Sequence, residues 1–254
     1  MKKQIIALGD GGFSSDNNPV LDLYILAQTN KKDPKVCFIP TASCDNGGLI
    51  ERFYDVFDKY YCIPSHLSLF NFECDNLQEF ILSQDVIYVG GGHSKNMMGI
   101  WKEWGLDRLL KDAYNQGTIL SGTSAGSVCW FEQCITDSYG KELKPMNCLG
   151  MLKGSNCPHY NNDGRRAAYH TNLKDNRISA GYAADNQAGL HFIDGEFVRA
   201  ISSVKGAYGY KVEYVGLVND GNVLETKLDT IRLNPKKNFM KYIGDTKTFR
   251  EVCA

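Results

Sequence analysis

The sequence predicts an α/β protein: a doubly wound, mostly parallel sheet with flanking helices, followed by extra β-strands toward the C-terminus. Three observations carry this reading. Short apolar runs alternate with segments of helical spacing through the first half, which is the pattern of β-α-β units. Two glycine-rich stretches, Gly90-Gly91-Gly92 and Gly122-Thr123-Ser124-Ala125-Gly126, each follow such a run, and in open parallel sheets sites gather at the carboxyl ends of strands. From Gly189 onward the apolar runs are separated by Asp-Gly and Asn-Asp-Gly turn signals, which favour antiparallel pairing.

Taken in order, Gln4 to Leu8 reads as a strand. Asn18-Pro19 opens a helix over Val20 to Gln28, with Asn as N-cap and Pro in the first turn. Lys35 to Pro40 is a second buried strand. Leu49, Ile50, Phe53, Tyr54, Val56, Phe57 and Tyr60 recur at helical spacing. Leu67 to Phe70 reads as a third strand, Asn76 to Leu82 as a short helix, and Asp85 to Val89 as a fourth strand. Helices over Asn96 to Trp104 and Leu106 to Asn115 lead to the strand Gly117 to Ser121. Residues 132 to 175 read as polar and irregular, with turn signals at Tyr139-Gly140-Lys141 and Asn161-Asn162-Asp163-Gly164. Gly189 to Ile193 and Phe197 to Ile201 flank the turn Asp194-Gly195. Val212 to Val218 and Val223 to Lys227 form a hairpin about Asn219-Asp220-Gly221. No linker rich in Pro, Gly or Ser interrupts the chain, so a single domain over residues 1–254 is expected.

Composition narrows the function classes. A net charge of −1 gives no global field toward nucleic acid or membranes. Lys31-Lys32 is a short solvated pair. The apolar run near the N-terminus is too short for a signal peptide, and no stretch reaches transmembrane length. Nine scattered cysteines, an odd number, read as free buried thiols in a reducing cytoplasm. With no Cys-x-x-Cys, His-x-x-x-His or His-Glu-x-x-His, no metal site and no organic cofactor are expected. Gly92-His93-Ser94-Lys95 is not a phosphate loop, because no Gly-Lys-Ser/Thr follows.

The chemistry concentrates at Gly122-Thr123-Ser124-Ala125-Gly126. Ser121 closes the preceding strand, and Ser127 to Phe131 reads as the start of an apolar helix. Strand, sharp turn, helix is the setting of a nucleophile elbow. The flanking glycines suit a turn in which side chains would strike the neighbouring strand and helix. A serine nucleophile needs a base, and imidazole suits because its ordinary pKa lies near 6.5. Five histidines are available. His66 and His191 fall in strands, and His170 fits a helix face. His159, in Cys157-Pro158-His159-Tyr160, and His93 are the two candidates by position.

Three segments in this order resemble the peptidase E family of serine peptidases, which includes the cyanophycinases. They are Tyr88-Val89-Gly90-Gly91-Gly92, Gly122-Thr123-Ser124-Ala125-Gly126 and Cys157-Pro158-His159-Tyr160. The opening strand and Phe38-Ile39-Pro40-Thr41-Ala42 also fit, so the resemblance covers roughly residues 1–200. It implies a class I glutamine-amidotransferase-like fold and a cytoplasmic hydrolase of short peptides, including dipeptides with an N-terminal Asp. Ser124 would be the nucleophile and His159 the base. The amides of Ala125 and of Gly91 or Gly92 would form the oxyanion hole. The family's third residue, an acid in a segment like Asp-Glu-x-x-Ala-Leu, falls in Ala184-Asp185-Asn186-Gln187-Ala188-Gly189-Leu190. The ungapped match puts Asn186 there, and a shift of one puts Asp185 there. Asp185 is favoured because a carboxylate stabilises imidazolium whereas an amide only orients it. Arg165 and Arg166 are the candidates to grip a substrate carboxylate.

Two other readings stand beside this one. An α/β-hydrolase esterase would run Ser, acid, His, whereas the order here is Ser124, His159, Asp185. A catalytically degenerate relative would bind a small ligand or partner in the same cleft. The partner expected for the main reading is a short peptide, with monomer and homodimer both open.

Overall fold

The computed structural model describes residues 2–15, 18–216 and 222–234. It contains two sheets. Strands β1 (Gln4–Leu8), β2 (Lys35–Ile39), β3 (Ile63–His66), β4 (Val86–Val89) and β5 (Ile119–Thr123) form a parallel block in the order β1-β5-β4-β2-β3. Helices α1 (Val20–Ala27) and α2 (Gly47–Phe57) lie between β1, β2 and β3. Helices α3 (Leu77–Leu82), α4 (Ser94–Trp104) and α5 (Leu106–Gln116) lie on the return path through β4 to β5.

The double winding follows from strand order. The chain moves outward from β1 to β3 and then back toward β1, and right-handed crossovers in opposite directions put their helices on opposite faces. The packing shows this. Ile6 and Leu8 of β1, Phe38 of β2 and Tyr88 of β4 pack with α1 and α2. Their neighbours Ile5, Ala7, Cys37, Ile39, Ile87 and Val89 pack with Met97 and Trp101 of α4 and Leu106 and Leu110 of α5. Burial on both faces explains why these strands are continuous apolar runs. The Asn18 side chain accepts the Val20 amide at 3.3 Å, as the N-terminal signal of α1 required. Gly105, at φ 67°, separates α4 from α5.

Two first-half elements differ from the sequence reading. The third strand is Ile63–His66, just before the expected Leu67 to Phe70. It is an edge strand paired only with β2, where Pro64 is tolerated. Leu67 and Leu69 are buried, but in a coil tied by one oxygen of Asp45, which accepts Ser68 Oγ (2.6 Å) and the amides of Leu69 (2.7 Å) and Phe70 (2.9 Å). The helix after the elbow, α6, is a single turn over Ala125–Val128. Cys129, Trp130 and Phe131 are apolar because the chain there dives between the two sheets.

The larger departure is at residues 132–175. They supply most of β6 (Phe131–Thr136) and all of β7 (Lys144–Asn147), β8 (Leu152–Cys157) and α7 (Asp163–Lys174). With β9 (Gly181–Ala184), β12 (Gly209–Val215) and β13 (Asn222–Lys227) they form a six-stranded sheet, β13-β12-β9-β8-β6-β7. The extra C-terminal strands are therefore shared between sheets. β10 (Ala188–Ile193), β11 (Glu196–Ser202) and β14 (Thr230–Arg232) extend the first sheet beyond β1. β12 and β13 form the expected antiparallel pair, while Asn219-Asp220-Gly221 lies outside the described residues. Phe131, Leu152, Ala184, Leu190 and Phe192 join both sheets to one core. Among the described residues, no helix is long and apolar enough to cross a membrane.

His191 has a structural place. It is buried in β10, with Nδ1 2.7 Å from Tyr24 Oη and Nε2 3.0 Å from Gln4 Oε1. Burial, and secondarily the Arg199 charge, push its pKa down to about 4. A depressed value means that its contribution is complete above the unfolded value near 6.5 and is lost as pH falls through about 4. Urea unfolding of His191→Gln between pH 6.5 and 4 is expected to show a shallower loss of stability than the parent, by on the order of 1–3 kcal/mol across that window.

Candidate active site

Ser124 stands where β5 ends, at a backbone conformation of φ 54° and ψ −111° that an L-residue rarely adopts. The surroundings enforce it. A Cβ on Gly126 would lie 2.1 Å from the Val89 carbonyl oxygen, and one on Gly122 would lie 2.5 Å from the oxygens of both Val89 and Gly126. The elbow glycines are thus required by close approach to β4, as the sequence suggested. Such a conformation costs about 1–3 kcal/mol and persists only where packing over-determines it.

His159 arrives from the other sheet. It lies two residues beyond the end of β8, also at φ 54°, and the Tyr160 amide donates to Ala184 O at 3.0 Å. Its Nε2 is 2.9 Å from Ser124 Oγ and its Nδ1 is 2.7 Å from Asn186 Oδ1. An amide oxygen only accepts, so Nδ1 carries the proton and Nε2 is left to accept the serine hydroxyl. Asn186 is held in turn, its amide donating to Asn161 Oδ1 at 3.1 Å.

The geometry corrects the choice between the two residues proposed for the third position. Asp185, 4% exposed, points away from the histidine. Its Oδ2 accepts the Tyr208 amide at 2.9 Å and Tyr210 Oη at 3.3 Å. Burial raises its pKa, against the pull of those two bonds. Consecutive residues of this turn point to different sides, so the one-residue shift that favoured Asp185 aims a carboxylate into the second sheet.

The two arginines are also not placed as expected. Arg165 pairs with Asp137 at 3.3 Å. Arg166 is bound in two places by Glu225 of β13, its Nε at 2.8 Å from Oε1. Its guanidinium lies over the rings of Tyr160 (4.9 Å) and Tyr210 (5.6 Å). Glu225 also accepts Tyr160 Oη at 2.5 Å, and His170 Nε2 lies 2.6 Å away. Burial disfavours the charged form of Glu225, but the Arg166 and Tyr160 hydrogen bonds outweigh it and hold the carboxyl below its usual range. Both arginines are therefore engaged in ion pairs within the protein, Arg166 linking the first turn of α7 to β13.

The remaining candidates sit around the serine. Gly91 faces it, since a Cβ there would lie 3.2 Å from Ser124 Cβ. Gly92, at φ 138°, abuts the loop after β2, where a Cβ would lie 2.2 Å from Ala42 O. Among the described residues, the amides of Gly91, Gly92 and Ala125 donate to no backbone carbonyl, so they remain available to an oxyanion. The support is local N–H groups rather than a long helix dipole, because α6 is one turn. His93 caps α4, its Nδ1 accepting the Asn96 amide at 3.2 Å. His66 is bonded to Tyr54 Oη at 2.8 Å.

Sequence reasoning missed Asp10. It lies two residues beyond the end of β1, forms a backbone bridge to Asn186, and has Oδ2 4.0 Å from His159 Nδ1. The available signal was its position in Gly9-Asp10-Gly11-Gly12, at the same carboxyl edge as the two glycine-rich stretches.

Comparison with known proteins assigns the chain to a family. The pattern of Peptidase family S51 matches residues 5–200. The chain is 48% identical over 212 residues to a Bacillus subtilis (strain 168) protein named uncharacterized peptidase YgaJ, covering 83% of this chain and 92% of that protein. It is 24% identical over 157 residues to uncharacterized peptidase Lin0382 of Listeria innocua, covering 59% of this chain and 75% of the relative. In fold it is similar to the crystal structure of a peptidase from an acI-B1 Actinobacterium, with a TM-score of 0.63 at 17% identity over 89% of this chain and 97% of that one. A family match over most of the chain and a relative near half identity lead to one assignment: the chain belongs to peptidase family S51 and is a peptidase of the serine type.

Proposed function

We propose that the protein hydrolyses short peptides through Ser124 and His159, with Asn186 orienting the imidazole, by way of an acyl-enzyme. The observation that carries this reading is the 2.9 Å contact between Ser124 Oγ and His159 Nε2 at the carboxyl edge of the first sheet. Ser124 Oγ would attack the scissile carbonyl carbon while its proton passes to Nε2. The carbonyl electron pair moves onto oxygen, where the amides of Ala125 and of Gly91 or Gly92 receive it. Each such donor is worth about 3 kcal/mol of barrier. Collapse breaks the C–N bond, and His159 returns the proton to the leaving amine. Water then repeats the sequence on the ester, with His159 taking its proton and Ser124 leaving.

Substrate choice is the finer part of the reading. An N-terminal Asp is suggested by the family resemblance alone, and the engagement of Arg165 with Asp137 and of Arg166 with Glu225 gives it no support. The neutral Asn186 beside the imidazole is the one feature that favours a degenerate, ligand-binding relative. A serine-reactive phosphonate separates the two: labelling at Ser124 is expected, and its absence favours the binding role.

Hydrolysis of Asp-Leu and Asp-Ala beside Ala-Leu, Lys-Leu and Glu-Leu tests the chemistry and the preference together. Ser124→Ala is expected to lower turnover of any accepted peptide by at least about 10³-fold; unchanged turnover in that variant would end the proposal. Arg166→Ala is expected to act on stability rather than on preference. It leaves Glu225 half-satisfied, and since Arg166 is 40% exposed solvent screening holds the cost to about 1 kcal/mol. Thermal unfolding reads this directly, while the ranking of Asp peptides against the others should not change.

A further inference from the structure

A serine–histidine pair needs two services from its third member: a hydrogen-bond acceptor that fixes the ring tautomer, and a negative charge for the imidazolium that forms when the serine proton arrives. Asn186 provides the first at 2.7 Å. As a neutral amide it cannot provide the second. The second is available 4.0 Å from the same ring nitrogen, at Asp10 Oδ2.

Asp10 is held at this distance from several directions. Its backbone bridges Asn186 in parallel fashion, and its carbonyl accepts the Gln187 amide at 2.9 Å. Oδ1 lies 3.4 Å from the hydroxyl of Thr123, the residue before the nucleophile. The preceding Gly9 is packed so closely on the turn that a Cβ there would lie 2.2 Å from Asp185 O. The carboxylate is thus fixed between the nucleophile strand and the turn that carries Asn186. The side chains of His159 and Asp10 are 25% and 28% exposed, so solvent screens the pair only in part.

The other charged groups near the histidine are directed elsewhere. Asp185, from the same turn as Asn186, is committed to Tyr208 and Tyr210. Arg165 and Arg166 of α7 are on Asp137 and Glu225. Among the described residues, the carboxylate of Asp10 is the ion-pair partner of His159.

We propose that Asp10 is the electrostatic partner of His159, so that the work of one triad acid is divided between two residues: Asn186 sets the tautomer, and Asp10 balances the imidazolium charge. The inference rests on the reading of Ser124 and His159 as nucleophile and base. Asp10 acts through His159, so it is a positioning residue.

The decisive measurement is the pH titration of the His159 imidazole followed by its ring 15N–1H NMR signals in the full chain. It needs no substrate. Asp10→Asn and Asp10→Ser are each expected to move the midpoint down relative to the parent. Adding Asn186→Asp to Asp10→Asn is expected to move it back up by a similar amount. On any peptide the parent accepts, kcat should fall in Asp10→Asn, by roughly three- to tenfold for a partly exposed charge pair. KM should change little, and activity should recover in the double variant. An unmoved midpoint in the two folded single variants overturns the proposal, whatever happens to activity. If no peptide is turned over, or Ser124→Ala stays active, the peptidase mechanism fails while the titration still decides whether Asp10 and His159 are coupled.

Discussion

The near-contact between Gly126 and the Val89 carbonyl sets the position of everything that follows. With only a hydrogen in that space, the turn after β5 can fold back against β4 and hold Ser124 in its strained conformation. The same closeness brings Gly91 beside the serine and leaves the amides of Gly91, Gly92 and Ala125 without backbone partners. Strain, hydroxyl position and free donors therefore have one steric origin. A methyl group at residue 126 would have to displace the backbone of a central strand, which is buried on both faces and has nowhere to go.

The site is assembled where the chain crosses from one sheet to the other. The elbow leads from β5 in the first sheet to β6 in the second, and the turn at 185–187 leads back from β9 to β10. His159 comes from the second sheet, Asn186 from the return crossing, and Asp10 from just beyond β1 beside it. Behind the histidine, Tyr160, His170, Arg166 and Glu225 form a bonded cluster that ties α7 to β13. Tyr160 adjoins His159 in sequence, so this cluster anchors the chain directly after the histidine.

The parallel block, β3 apart, was legible because its strands are apolar on both faces and are separated by well-signalled helices. Ser124 and His159 were legible because glycine spacing and a strand-end histidine are local features. The second sheet was not. In β6, Glu132 is exposed while Phe131, Cys134, Ile135 and Thr136 are buried. β8 carries Lys153, Gly154 and the buried polar Ser155 and Asn156. The side-chain bonds of those polar residues run to tertiary partners, such as Asn156 Nδ2 donating to Ser127 Oγ at 2.8 Å, so no local pattern announces a strand. Helix α7 buries just Tyr169, Asn172 and Leu173, and its Asn162 cap resembles an ordinary turn signal. Asp10 was hidden for a different reason: Asp10 and Asn186 are adjacent in space but 176 positions apart in the chain.

Since the hydroxyl belongs to one layer and the imidazole to the other, their 2.9 Å separation is also a gauge of how the two layers are registered. Each sheet carries its own ladder of backbone bonds, and those ladders are indifferent to a small slide of one layer over the other. The serine–histidine contact is not. A slip of a single ångström would leave every strand paired and the core still dry, yet would part the hydroxyl from the imidazole. Alignment between layers, more than the integrity of either one, is what this arrangement of residues asks the hydrophobic interior to preserve.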